Sequence, residues 1–504
     1  MHPRRGRTLR RLLAATGVAA LTLTTAGVVA GPAHAGDRLG TTQQSLTNGS
    51  ASLTTSDNVI HVHNQPGQVG ISGCFMRTEA LFVTSGLDSV KVFDVSNPAL
   101  PVELGSIRSA HFENEAMSCG ERRTKDGVRR FALIGVDLYQ VSEDPAHYNV
   151  GGNDLVVVDV TDPFDPVMTS RLSATTGTHT VACVDEVDCR YAYTSGGGDE
   201  FSVIDLRNLA RPREVDANPR KAGLQPFTTP TSGHKWNFDA AGYGIHTGRD
   251  GTAMFDVRKP RRPRLVTTTG KAGRGEHPDY PGWNDFIHHN SARPNAKAFR
   301  KHARPSVRNG NVLFVTEEDY EQTDCSKAGS FQSWKVKTLT GGRNAIVPLD
   351  KVELTDIDQA APPAYGFCSA HWFDYHQSGI VAVGYYGGGL QLVDARNPRR
   401  LASYGRASWG ASEVWDAYWV PKYDDFGRMT RQRTHLVYTV DAVRGLDVYN
   451  VALPGSAHVG GPSLQGAGNP ITTLEWPQEG VPVTLLLLAL LGSAAVRRRA
   501  ANRS

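Results

Sequence analysis

Val92-Phe93-Asp94-Val95, followed by Asn97-Pro98 and then Pro101, is a short apolar strand that ends on aspartate and breaks into a proline turn. The pattern returns at Val157-Val158-Asp159-Val160 with Asp162-Pro163 and Pro166, and at Val203-Ile204-Asp205-Leu206 with Pro212. It recurs at Met254-Phe255-Asp256-Val257 with Pro260 and Pro263, and at Leu392-Val393-Asp394-Ala395 with Asn397-Pro398. A sixth copy, Gly445-Leu446-Asp447-Val448, has no early proline. An apolar strand stands upstream, as in Leu81-Phe82-Val83-Thr84, Tyr191-Ala192-Tyr193-Thr194, Gly244-Ile245-His246-Thr247, Val381-Ala382-Val383-Gly384 and Leu436-Val437-Tyr438-Thr439. Gly, Asp or both lie between the paired strands, which is the chemistry of tight hairpins. A further pair, Val312-Leu313-Phe314-Val315 and Gln332-Ser333-Trp334-Lys335-Val336, fills the long gap after Asp256.

These are seven strand-pair units over residues 60–456, about 57 residues each. Short antiparallel sheets repeated around an axis close into a ring without long open edges, so the expected fold is all-β, a seven-bladed β-propeller. A β-sandwich gives no reason for one aspartate unit to recur so often, and an open solenoid runs on repeats of roughly 20–45 residues. Gly196 to Gly198 and Gly387 to Gly389 fall between strands and read as hairpin turns.

A strand ending Val-x-Asp-Val and followed by x-x-Pro-x-x-Pro resembles the LVIVD-repeat family of exported bacterial β-propeller proteins. Val92 to Pro98 and Leu155 to Pro163 carry the pattern well, whereas the unit ending Trp334-Lys335-Val336 lacks the aspartate. The resemblance implies an architecture and no single activity. Asp94, Asp159, Asp205, Asp256, Asp394 and Asp447 are expected to anchor turns by accepting backbone hydrogen bonds, since one residue type serving six units does not point to catalysis.

The two ends have a different composition. Arg4, Arg5, Arg7, Arg10 and Arg11 precede a largely apolar stretch from Leu12 to Ala30, and Ala33-His34-Ala35 supplies the small residues of a cleavage site. Residues 1–35 are therefore predicted to be a secretory signal peptide, with 36–59 as an N-terminal extension. At the other end, the Gly-, Pro- and Ser-rich spacer 457–480 leads into the uncharged segment 481–496 and then Arg497-Arg498-Arg499. That segment is at the short limit for a membrane span, and a buried helix is its alternative. The arginines favour a transmembrane helix with 497–504 as a cytoplasmic basic tail. This arrangement resembles C-terminal sorting tails of bacterial surface proteins, without a Leu-Pro-x-Thr-Gly signal. The expected location is the extracytoplasmic face of a bacterial cell membrane, with the C-terminal anchor as the contact to lipid.

The chain carries a net charge of +4. Taking away the five arginines before residue 36 and the four in the last eight residues leaves the exported part at −5. That balance gives no reason to expect nucleic-acid binding. Six cysteines, an even number, fit an oxidising compartment. They admit about fifteen connectivities. The preferred set, Cys74 with Cys119, Cys183 with Cys189 and Cys325 with Cys368, joins chain neighbours. No Cys-x-x-Cys motif is present.

His111, His179, His234, His289 and His371 each open a unit. Two openings align closely, His234-Lys-Trp-Asn-Phe-Asp and His371-Trp-Phe-Asp-Tyr-His, and Glu413-Val-Trp-Asp places a glutamate at the histidine position of the seventh unit. In a propeller the first residues of the innermost strands gather at one mouth of the central channel. His179, His234, His289, His371 and Glu413 are therefore the candidate ligands of a divalent transition metal, since imidazole suits copper, zinc, iron or nickel better than calcium or magnesium. A structural role, histidine as a hydrogen-bonder at the strand start, explains the repetition as well. Glu113, Glu115, Asn237, His288, Asn290, Asp374, His376 and Asp416 are candidates for a surrounding layer, and His61 and His63 for joining or closing the ring. The run Glu317-Glu318-Asp319-Tyr320-Glu321 reads as a solvated loop or a calcium cluster without EF-hand spacing.

No nucleophile elbow, phosphate-binding glycine loop or His-Glu-x-x-His helix is present, so no catalytic residue is assigned. Three functions follow. The first is a cell-surface interaction module that binds an extracellular protein or carbohydrate through loops at 121–130, 291–310 and 338–361. The second is a metal-dependent enzyme, in the oxidoreductase class, built on the histidine ring. Seven-bladed propellers with channel histidines, such as the selenium-binding-protein and methanethiol-oxidase group, offer an analogy of fold for it. The third is a purely structural surface domain.

Overall fold

The computed structural model describes residues 53–108, 115–136, 153–196, 198–269, 283, 286–320, 322–342, 344–358 and 368–455. Seven antiparallel sheets form the blades. Blade one comprises Gly70–Phe75, Leu81–Gly86, Ser89–Asp94 and Val102–Arg108, and blade two Ser118–Thr124, Gly127–Val136, Asp154–Asp159 and Val167–Ser173. Blade three comprises Thr180–Cys183, Tyr191–Ser195, Val203–Asp205 and Arg213–Glu214, and blade four Gly233–Phe238, Tyr243–Gly248, Gly251–Asp256 and Arg264–Thr268. Blade five comprises Ile287–Ala292, Val312–Glu318, Phe331–Val336 and Ile346–Val352, and blade six Phe373–Tyr375, Ile380–Gly384, Leu390–Asp394 and Ala402–Trp409. Blade seven takes Val414–Tyr423, Met429–Asp441 and Gly445–Val451 from the end of the chain and Val59–Gln65 from its beginning. The first strands of successive blades touch one another in a complete cycle, so the ring is closed.

Middle strands are buried on both faces because each blade packs against the next. Leu81, Val83, Val90 and Val92 of blade one meet Ala132, Ile134, Val156 and Val158 of blade two in a single apolar cluster. Outer strands such as Val102–Arg108 are mostly exposed. This gradient explains why the sequence signal is strongest in the second and third strand of each unit.

The repeat aspartates do as expected in five blades. The side-chain oxygen of Asp94, Asp159, Asp205, Asp256 and Asp394 accepts the backbone N–H two residues on, at 2.8 to 3.2 Å, which starts the turn to the outer strand. Asp447, in the copy without proline, instead binds across the ring closure. Val59 pairs with Val451, and His61 Nε2 lies 2.7 Å from Asp447 Oδ1. His61 and His63 therefore belong to the closing strand. The N-terminal extension also contributes structure, since Leu53–Thr55 adds a fifth strand to blade six, with Leu53 opposite Trp409.

All six cysteines pair as Cys74–Cys119, Cys183–Cys189 and Cys325–Cys368. The segment 121–130, expected as a variable loop, is a hairpin in which Arg122 faces Arg129. Much of 338–361 is the strand Ile346–Val352 and the helical turn Leu354–Ile357. Signal peptide 1–35, spacer 457–480, hydrophobic segment 481–496 and tail 497–504 lie outside the described residues. Among the described residues, no helix is long and apolar enough to cross a membrane.

Candidate metal centre

Blade periodicity brings four of the expected histidines together. His179 precedes the first strand of blade three, His234 and His289 lie within the first strands of blades four and five, and His371 precedes that of blade six. Their rings follow one another as an arc, with centroids 4.6 Å apart from His179 to His234, 4.1 Å from His234 to His289 and 4.0 Å from His289 to His371.

The carboxylates come from residues given other roles by the sequence. Glu115 Oε2 lies 2.9 Å from Nε2 of His179, 3.2 Å from that of His234, 3.2 Å from that of His289 and 3.8 Å from that of His371. Glu318 Oε2 stands 3.9 Å from His234 Nε2 and 3.7 Å from His289 Nε2, and Glu318 Oε1 is 3.9 Å from His371 Nε2. One ligand atom from each of Glu115, His234, His289 and Glu318 falls within 4.8 Å of the other three.

Glu413 takes a different place. Its Oε1 accepts the Trp415 indole N–H at 2.9 Å, and the Trp415 carbonyl in turn accepts from His371 Nδ1 at 2.6 Å. Glu413 therefore supports the arc through Trp415 instead of completing it. The acidic run 317–321 is not a solvated loop, because Glu317, Glu318 and Asp319 are all buried. Strand alternation sends Glu318 to the histidines while Glu317 accepts from Phe286 N, Ser330 Oγ and Gln332 Nε2. His111, Glu113 and Glu321 lie outside the described residues. A sequence signal for Glu115 exists: Ala116 bridges Thr180 in parallel, so Glu115 holds in blade two the position that His179 holds in blade three.

Of the expected surrounding layer, His288 Nδ1 binds Thr252 Oγ1 and His376 Nδ1 binds Ser378 Oγ, each at 2.8 Å. Asn237, Asn290, Asp374 and Asp416 line a cavity of about 1300 Å³ together with Lys235 and Trp372. The chain runs from arc to cavity wall in single steps, His234 to Lys235, His289 to Asn290 and His371 to Trp372.

Electrostatics favour neutral imidazoles facing anionic oxygen. Burial pulls His234 down to about 4 and His289 well below its usual value. Burial works to raise Glu115, but His179 and His234 outweigh it and hold the carboxyl well below the usual range. Glu318, buried and facing the Glu115 charge, is pushed up to about 7. The Tyr386 hydroxyl donates to Glu318 Oε1, and its ring lies 4.5 Å from that of His371. Tyr386 holds a left-handed φ of 46°, uncommon for a non-glycine residue, and its backbone N–H and C=O are both fixed by Val414 at 3.0 Å.

His371 is the most informative of the four. A ring nitrogen facing a carbonyl must carry the proton, so its Nδ1 is the donor to Trp415 and its Nε2 presents a lone pair. That Nε2 is buried and has no hydrogen-bond partner among the described residues. Nδ1 of His234 and Nδ1 of His289 also lack partners among the described residues, whereas Nδ1 of His371 is held by the Trp415 carbonyl.

A model of the LVIVD repeat matches residues 140–173, which include the third and fourth strands of blade two. Comparison with curated proteins finds none that matches. Among solved structures the chain is similar to the β-propeller domain of Cps50 (Swd1) from Myceliophteria thermophila, at a TM-score of 0.49 and 10% identity, over 78% of this chain and 100% of that one. The chain carries an LVIVD repeat and folds as a seven-bladed β-propeller.

Proposed function

We propose that this propeller is an exported metalloprotein holding a divalent transition metal between His179, His234, His289, His371, Glu115 and Glu318, and that this centre is the seat of an oxidoreductase-class activity. The observation that carries the reading is the buried His371 Nε2, a lone pair with no donor, aimed with three other imidazoles at one carboxylate oxygen. Two carboxylates set against each other, Glu318 buried and Glu115 nearly so, are costly to desolvate without a counter-charge, and a dication supplies it. Nitrogen-rich ligation favours copper, zinc, iron or nickel, whereas calcium takes six to eight oxygens. Such a metal supplies redox or Lewis-acid chemistry. The residues around it hold the imidazoles in register, keep water out through burial, and fix one Glu318 oxygen through Tyr386.

An interaction module for protein or carbohydrate and a purely structural domain have no comparable constellation behind them. Of the three loops expected to serve the first, 121–130 is a hairpin and much of 338–361 is strand or helical turn. Three disulfides fit an oxidising compartment, in keeping with export.

The test is elemental analysis of the untagged chain purified from the envelope. A stoichiometric transition metal that a chelator removes, with a fall in melting temperature reversed by adding it back, is the expected result. Protein that is folded, holds no metal and takes none up overturns the reading.

A further inference from the structure

The cavity beside the imidazole arc contains one buried cation that forms no ion pair among the described residues. Lys235 is 8% exposed, and its ammonium lies 4.7 Å from the centre of the Trp372 ring. Among the described residues, no carboxylate comes within ion-pairing distance of it. Of the other cations on the wall, Arg77 pairs with Glu186, Arg293 with Asp239 and Arg433 with Asp374, whereas Lys297 and Arg431 are exposed. Asp416, the carboxylate that acts most strongly on Lys235, stands beyond ion-pairing distance from it; it accepts from the Tyr418 hydroxyl, and burial drives its carboxyl well above the usual range.

A buried ammonium is costly unless something pairs with it, and the Trp372 face offsets only part of that cost. The cavity around it, about 1300 Å³, is large enough for a small organic molecule, and its wall includes Phe75, Phe238 and Tyr375. A single buried cation without an ion pair, above apolar and aromatic walls, fits a monoanion with an apolar body. A phosphate would call for several such cations at one point, and the buried Arg293 is engaged by Asp239 while Lys297 and Arg431 are exposed.

We propose that this cavity binds a small organic carboxylate, with its carboxylate on Lys235 Nζ and its apolar body along the aromatic wall. The site is distinct from the histidine cluster. Its ligand contacts are Lys235 and the cavity wall, so it does not depend on a metal being bound.

The experiment is calorimetric titration of the full chain with benzoate, and with the neutral analogue benzamide, before and after chelator treatment. Benzoate binds saturably and at least tenfold more tightly than benzamide, with the same affinity after chelation. Lys235→Met lowers benzoate affinity at least tenfold, to the level of benzamide, whereas Lys235→Arg keeps it within about threefold. The Arg variant keeps the test decisive if the Met variant does not fold. Absence of saturable benzoate binding, equal affinity for the two probes, undiminished affinity in Lys235→Met, loss in a folded Lys235→Arg, or loss on chelation each overturns the proposal. Loss on chelation would mean benzoate sits on the metal, whereas absence of metal with binding intact would count against the metal centre alone.

Discussion

His61 Nε2 lies 2.7 Å from Asp447 Oδ1 across a sequence separation of 386 residues, and this contact joins the two ends of the ring. Arg444 reaches the same carboxylate at 2.7 Å and lays its guanidinium over the Trp409 ring at 3.6 Å. The one repeat aspartate without a proline turn thus serves as the clasp. Its environment differs from that of the other five because the strand beside it comes from the opposite end of the chain.

Asp447→Asn leaves Arg444 without its buried counter-charge and weakens the contact to His61, and the expected loss is about 3 kcal/mol. Burial works to raise the Asp447 carboxyl, but His61 and Arg444 outweigh it and hold it below the usual range. A depressed folded-state value stabilises above the unfolded carboxyl value of about 4 and loses that contribution as pH falls through the folded value. Denaturant titrations should therefore separate wild type from Asp447→Asn at pH 7 and draw them together as pH falls below the usual carboxylate range.

The disulfides close loops of unequal length. Cys325–Cys368 spans 43 residues and Cys183–Cys189 spans six. Loop-closure entropy predicts that paired Cys→Ser substitution costs about 4 kcal/mol for the first and about 2 kcal/mol for the second. Equal losses in chemical unfolding would show that native-state packing governs instead.

Glu115 and Glu413 distinguish the proposed ligand set from the one expected from the sequence. Glu115→Gln should weaken metal retention more than 100-fold, whereas Glu413→Gln, acting only through Trp415 and His371, should change it by about tenfold or less. Competition with a chromophoric chelator reads both. The reverse ranking would restore Glu413 to the ligand set.

The architecture was legible because it is periodic. Each aspartate turn marks a blade, and seven units give seven blades. The four histidines were legible for the same reason, since a repeat position becomes a place in the ring. Glu115 is obscured in the sequence by His111, four residues earlier, which has the better match to a blade opening; the bridge from Ala116 to Thr180 sets the register. Glu318 had no periodic signal, because it ends the second strand of blade five and reaches the histidines from the side. The clasp was half legible: His61 and His63 stood as candidates for closing the ring, but the Asp447 to His61 contact needs the register of Val59 against Val451.

Export makes its own prediction. The mature chain should begin at Gly36, and the protein should stay with membranes after a high-salt wash and be released by truncation before Val481. N-terminal sequencing and fractionation check both. A chain that retains Met1, or that salt alone releases, contradicts the assignment.

X-ray absorption spectroscopy of the untagged, metal-loaded chain tests the metal centre most directly. The account predicts a first shell of nitrogen and oxygen at about 2.0–2.2 Å, with the multiple scattering of several imidazoles. That scattering should weaken in His289→Ala, whose ring is fully buried at the middle of the arc. A folded chain whose bound metal shows no imidazole scattering, or an unchanged spectrum in His289→Ala, would contradict it.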